Sequence, residues 1–225
     1  MKTLLFAIAS LILSAQFSMA DEFTNSVSAK LVSDVSSVKP GETFSVGVLF
    51  EIKPDWHIYW KNPGDSGLPT SIKLDLPEEF KSGEIHWPLP TTFISGEVNI
   101  NYGYEKTLLL WTTVKAPENL STIMPLSIKG KANWVSCREI CIQGESELNL
   151  KLNSIYKFNK NEKNLFSSWS KNLPLESSKQ GAFFKYKIDQ KTAEDKTKHV
   201  ITIDWNSDVE DIEFFPNPED ALNIE

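Results

Sequence analysis

The stretch Thr43-Phe44-Ser45-Val46-Gly47-Val48-Leu49-Phe50-Glu51-Ile52 decides the fold class of this chain. Phe44, Val46, Val48, Phe50 and Ile52 are apolar at every second position. That is the period at which a β-strand presents one face to a core. Lys39-Pro40-Gly41-Glu42 just ahead of it is turn chemistry. Working outward, Val27, Ala29 and Leu31 alternate upstream, and Ile72, Leu74 and Leu76 alternate downstream as far as Pro77. Thr107 to Val114 is β-rich and apolar enough for a core strand. Leu126, Ile128, Ala132 and Trp134 predict a strand leading into Cys137, and Leu148, Leu150 and Leu152 predict a last one. Short strands with Pro and Gly between them, and no strong helical period, predict an all-β, immunoglobulin-like sandwich over residues 21–155.

Beyond the sandwich the period changes. Leu165, Phe166, Trp169 and Leu173 recur at helical spacing, so residues 156–180 are expected to be a linker with a short helix that ends at Pro174. Phe184, Tyr186 and Ile188 alternate again, followed by Ile201, Ile203 and Trp205 and the run Glu213-Phe214-Phe215-Pro216. Residues 181–225 are expected to begin a second β unit that is incomplete, as in a fragment of a longer protein. The N-terminus has a different character. Lys2, the apolar run Leu4 to Leu13 and the small residues of Ser18-Met19-Ala20 form the three regions of a secretory signal peptide, expected over residues 1–20. The mature chain is therefore expected in an oxidising compartment.

Composition narrows the functional classes. The 225 residues are 40% hydrophobic and 24% charged, an ordinary globular balance, and the formal net charge is -7. An acidic chain whose single arginine is Arg138 has no basic footprint for nucleic acid. There is no Gly-x-Ser-x-Gly nucleophile motif.

Two cysteines stand in Trp134-Val135-Ser136-Cys137-Arg138-Glu139-Ile140-Cys141. In one extended strand, Cα atoms four residues apart lie ~13 Å from each other. A disulfide needs them within about 7 Å, so the backbone must turn between the two if they pair, in a loop or a helical turn. Closing so small a loop removes little unfolded-state entropy, about 2 kcal/mol, which makes stapling a weak rationale. Arg138 beside Cys137 favours a thiolate and Glu139 opposes it. The spacing leaves three readings open: a redox pair, a structural disulfide, or a thiolate metal site for copper(I). His57, His86 and His199 are the only histidines. His57 reads as a strand residue on the outer face, and His86 as a loop residue.

The wider pattern is distinctive. Trp56-His57-Ile58-Tyr59-Trp60-Lys61-Asn62-Pro63-Gly64-Asp65-Ser66-Gly67-Leu68-Pro69-Thr70, then Ile85-His86-Trp87-Pro88-Leu89-Pro90, then Asn101-Tyr102-Gly103-Tyr104-Glu105, then the C-x3-C segment, follow in order. This set resembles the N-terminal periplasmic domain of the DsbD/ScsB family of thiol:disulfide interchange proteins over about residues 25 to 155, and it is closer to the ScsB-like branch. The resemblance implies an immunoglobulin-like domain with Cys137 and Cys141 as the redox pair and Cys141 as the sulfur that joins partners. It implies no bound cofactor. Its implied partners are thioredoxin-like domains and periplasmic disulfide-bonded proteins, fed by a membrane-embedded electron donor in a further C-terminal region or another chain. It also implies a cap loop at Thr91-Thr92-Phe93-Ile94-Ser95-Gly96, with Phe93 shielding the cysteines. Tyr102, Tyr104 and Arg138 are expected to line the same site, although the tyrosines could equally serve cross-strand packing. Gly64, Gly67 and Pro69 are expected to shape a turn.

Overall fold

The computed structural model describes residues 26–95, 99–120, 125–152, 160–174, 184–193, 196–205, 213 and 215–216. The segment expected as a signal peptide, Phe214 and the residues after Pro216 lie outside these, as do residues 153–159 and 175–183.

One compact unit takes in the described residues up to Leu173 together with Pro216. It is the expected immunoglobulin-like sandwich. Its first sheet has the order β1-β2-β8-β5, from β1 (Val27–Ser33), β2 (Thr43–Ile52), β8 (Thr107–Lys115) and the short β5 (Lys81–Ser82). The second has the order β10-β9-β3-β7-β6, from β10 (Cys141–Leu152), β9 (Leu126–Cys137), β3 (His57–Gly64), β7 (Asn99–Glu105) and β6 (Thr91–Ser95). β4 (Ser71–Asp75) pairs with β9 beside this path. Every strand pair is antiparallel.

The alternation read in β2 is the core face. Phe44, Val46, Val48 and Phe50 are buried, and their partners on β8 are Val114, Thr112, Leu110 and Leu108. Ile58, Ile128, Ala132 and Trp134 bring the second sheet to this core, with the Phe50 and Trp134 rings edge-on at 5.7 Å. β8 is apolar without alternation because its other face is covered too. The helix α1 (Lys160–Trp169) and the 3₁₀ turn Ser170–Asn172 that follows it place Phe166 against Val32, Leu109 and Trp111. Leu165, Trp169 and Leu173 pack around that cluster. The helix expected in a linker thus lies on the sandwich, since its helical stripe matches the uncovered apolar face of β8.

The second unit spans Pro174–Phe215. Its described strands are β11 (Phe184–Ala193) and β12 (Lys196–Trp205), which form a hairpin paired from Phe184↔Trp205 to Ala193↔Lys196. The two alternating runs of the sequence form this hairpin.

Candidate functional site

The backbone turn required between the cysteines is a hairpin. Cys137 ends β9, Cys141 begins β10, and the two are direct cross-strand partners with Cα atoms 4.1 Å apart. Arg138 donates its amide to the Ile140 carbonyl at 3.1 Å, which closes the turn. The pair forms the disulfide Cys137–Cys141. β10 runs in register with β9 for its whole length, although Gly144-Glu145-Ser146-Glu147 carries little strand propensity. Its outer carboxylates Glu145 and Glu147 sit 3.0 and 3.6 Å from the Lys131 ammonium of β9. Pairing along β9 extends the strand where residue preference alone does not.

The two cysteines differ in access. Cys137 is 3% exposed, whereas Cys141 is an exposed residue at the start of its strand. Ile140 beside it is 53% exposed at the tip of the hairpin.

Register explains why Cys137 is covered. Cys137 pairs with Cys141 on one side and with His57 on the other, and His57 pairs in turn with Glu105. Partners across a sheet share a face, and so do residues two apart along a strand. This face therefore also carries Tyr59 and Val135, which cluster with Cys137 away from the sandwich core. Tyr59 donates its phenolic hydrogen to Cys137 Sγ at 3.1 Å. Burial holds the Tyr59 hydroxyl above its ordinary value of 10.0, opposed by a hydrogen bond with Ser66, so it remains a donor at neutral pH. The loop after β3 lies over this tyrosine. Gly67 has a positive φ of 92°, and a Cβ there would meet the Tyr59 ring at 2.4 Å. The expected turn role of Gly64 and Gly67 takes this form, with left-handed backbone at both.

Phe93 is half-buried on β6, and its ring stacks on His57 with centroids 4.6 Å apart and planes at 17°. The segment expected as a cap loop is an edge strand, paired with β7 from Thr91↔Gly103 to Ser95↔Asn99. Its β-branched residues Thr91, Thr92 and Ile94 favour that pairing. Phe93 pairs with Asn101, while His57 pairs with Glu105 four residues along β7, so the ring reaches its stack past the position of Gly103. Gly103 has no side chain to obstruct it. His57, read from the sequence as an outer-face residue, is on the outer face but beneath an aromatic ring. Burial pulls its imidazole below its ordinary value of 6.5, partly offset by the Glu105 carboxylate.

Tyr102 and Tyr104 are not brought to the cysteines. Tyr104 pairs with Ile58, and Ile58 with Ser136, one residue out of phase with the Cys137 row and hence on the opposite face. It is buried and donates its hydroxyl to the Pro88 carbonyl at 2.8 Å. Tyr102 meets the Trp60 ring edge-on at 6.3 Å. Both serve as packing residues there. Arg138 projects from the hairpin turn with its guanidinium 5.3 Å from the centre of the Trp56 ring. His86 is bridged to Trp111 of β8 and contacts its ring at 5.2 Å. His199 lies within β12. Sequence reasoning missed Tyr59 beside Cys137 and the stack of Phe93 on His57. The alternation Trp56-His57-Ile58-Tyr59-Trp60 put His57 and Tyr59 on one face, but only the pairing of β3 with β9 puts that face beside Cys137.

The family model described as "Thiol:disulfide interchange protein DsbD, N-terminal" matches residues 26–153, more than half of the chain. Among solved structures, the N-terminal periplasmic domain of ScsB from Proteus mirabilis superposes with a TM-score of 0.51 at 16% identity, covering 81% of each chain. The reduced DsbD N-terminal domain from Neisseria meningitidis gives a TM-score of 0.33 at 14% identity, over 55% of this chain and 86% of its own. No curated protein sequence matches the chain significantly.

Proposed function

Because this chain belongs to the family of DsbD N-terminal domains, we propose that it is a periplasmic electron relay. In this reading Cys137 and Cys141 take reducing equivalents from a thioredoxin-like donor, supplied by a membrane-embedded reductase, and pass them to disulfides of periplasmic proteins. Thiol–disulfide interchange is the chemistry of the family. The direction of flow and the roles of the individual residues are our reading.

The observation that carries it is the unequal burial of the two cysteines. A donor thiolate attacks the exposed Sγ of Cys141. The Cys137–Cys141 bond breaks, and Cys137 leaves with the electron pair as a thiolate facing the Tyr59 hydroxyl. A second donor thiol then attacks the donor sulfur of the mixed disulfide, which frees Cys141 and leaves the donor oxidised. In the outward step the Cys141 thiolate attacks a partner disulfide and forms a mixed disulfide. Cys137 attacks Cys141 Sγ, restores the internal bond and releases the partner as a dithiol. Two electrons and two protons pass in each half of the cycle. Phe93, stacked on His57 over the same face, acts as the cap on the Cys137 side of the pair and limits the approach of small oxidants and thiols from that side.

Trapping tests this. Cys137→Ser is expected to accumulate a mixed disulfide between Cys141 and a thioredoxin-like partner, and Cys141→Ser to trap far less, because its remaining sulfur is buried. Failure of both variants to trap, together with a reduction potential below about -300 mV, would establish a structural bond instead.

A further inference from the structure

We propose that His57 is a positioning residue: its imidazole is the platform that holds the Phe93 ring in place over the Cys137 face. The inference rests on the reading of Phe93 as the cap.

Among the described residues, the strand of Phe93 has a neighbour on one side only. β6 is the last strand of its sheet and, among the described residues, pairs with β7 alone. Its next residue, Ile94, is 73% exposed. The strand therefore gives the Phe93 side chain little lateral support, and the stacked contact with His57 supplies what the strand does not. His57 itself is held on both sides, by Glu105 of β7 and by Cys137 of β9. Its ring also meets Tyr59 edge-on at 5.3 Å and 78°. The three rings form one series, Phe93 on His57, His57 against Tyr59, and Tyr59 bonded to Cys137 Sγ. A flat ring at position 57 can carry Phe93 in parallel, and an aliphatic side chain there cannot reproduce the stack.

The test measures the reduction of the Cys137–Cys141 disulfide by two agents, reduced glutathione and a thioredoxin-like protein, in the full chain. His57→Ala is expected to raise the glutathione rate by about two- to tenfold, the population shift set by losing an aromatic pair of ordinary strength. The rate with the thioredoxin-like protein should change far less, since that partner displaces the cap in any case. His57→Phe is expected to restore the slow glutathione reaction. Because His57 acts through Phe93, the double variant His57→Ala/Phe93→Ala should react no faster than Phe93→Ala alone. If Phe93→Ala accelerates the reaction while His57→Ala does not, His57 is not the platform and the cap stands. If Phe93→Ala leaves the rate unchanged, the cap reading fails and this inference falls with it. Equal acceleration towards both reducing agents by His57→Ala, without rescue by His57→Phe, would reduce His57 to a general packing residue and overturn the proposal.

Discussion

Tyr59 and Cys137, far apart in sequence, meet through a hydrogen bond of 3.1 Å from the phenolic oxygen to the buried sulfur. The donor is fixed from behind by the Gly67 loop, and burial keeps it protonated. A sulfur so placed is suited to carry negative charge when the disulfide opens. Hydrogen bonds to ionised groups are worth about 1.5–3 kcal/mol, or roughly one to two pKa units. Tyr59→Phe keeps the ring and removes only the donor. In a Cys141→Ser background it is expected to raise the Cys137 thiol pKa by about that amount, read from thiolate absorbance against pH. An unchanged titration would show that the hydroxyl does not stabilise the thiolate.

His57 gives the fold a pH dependence whose sign follows from its burial. The folded protein disfavours the imidazolium, so its pKa lies below the 6.5 of the unfolded chain. The unfolded state then binds more protons through this window, and stability rises with pH. The contribution is complete above the unfolded value and is lost as pH falls from 6.5 through the lowered folded value. His57→Phe does not titrate. Between neutral pH and about pH 5 the urea midpoint of the native protein should therefore fall more than that of the variant. Parallel profiles would contradict the burial argument.

Gly103 lies where β7 approaches β3 too closely for a side chain. A Cβ there would meet the Ile58 carbonyl oxygen at 2.2 Å and lies near the Tyr59 backbone. The obstacle is backbone on a central strand, so it cannot swing away. Gly103→Ala is expected to cost about 2–4 kcal/mol, in the range of overpacked core sites, and to disturb the pairing that sets Tyr59 in place. Chemical denaturation checks the first effect, and the Cys137 titration checks the second. A loss below about 0.5 kcal/mol would mean that the strands separate easily at this point.

Phe166 tests the helix that lies on the first sheet. It is buried against Val32, Leu109 and Trp111, with its ring edge-on to Trp111 at 6.4 Å. Phe166→Ala should destabilise the unit by about 3 kcal/mol, while the rate of disulfide exchange at Cys137–Cys141 stays unchanged, because no residue of this cluster belongs to the cysteine face. A neutral substitution would show that the helix adds little to the stability of the sandwich.

How much of this could be read in advance varies by residue. Phe44 to Ile52 announced their strand and its buried face, because alternation is a local property that survives any tertiary arrangement. The helical stripe of Leu165, Phe166, Trp169 and Leu173 was equally plain, but its destination was not. The partner that receives it, the continuous run Leu108 to Trp111, is recognised as covered on both faces only once the sheet is assembled. Tyr102 and Tyr104 sit near Gly103 in sequence, yet a shift of one residue turns them to the opposite face from Cys137.

The sequence by itself determined the sandwich, the cysteine pair and the need for a turn between them, since strand period, turn residues and the reach of a disulfide are local constraints. It also carried, through its ordered aromatic and glycine motifs, the family to which the chain belongs. Only the tertiary structure decided which cysteine is exposed, that Tyr59 bonds Cys137, and that His57 pairs with Cys137 and stacks with Phe93. Those relations depend on how β3 registers against β7 and β9. Register is set by the sum of long-range burial and pairing across the whole sheet, and no single stretch of sequence contains it.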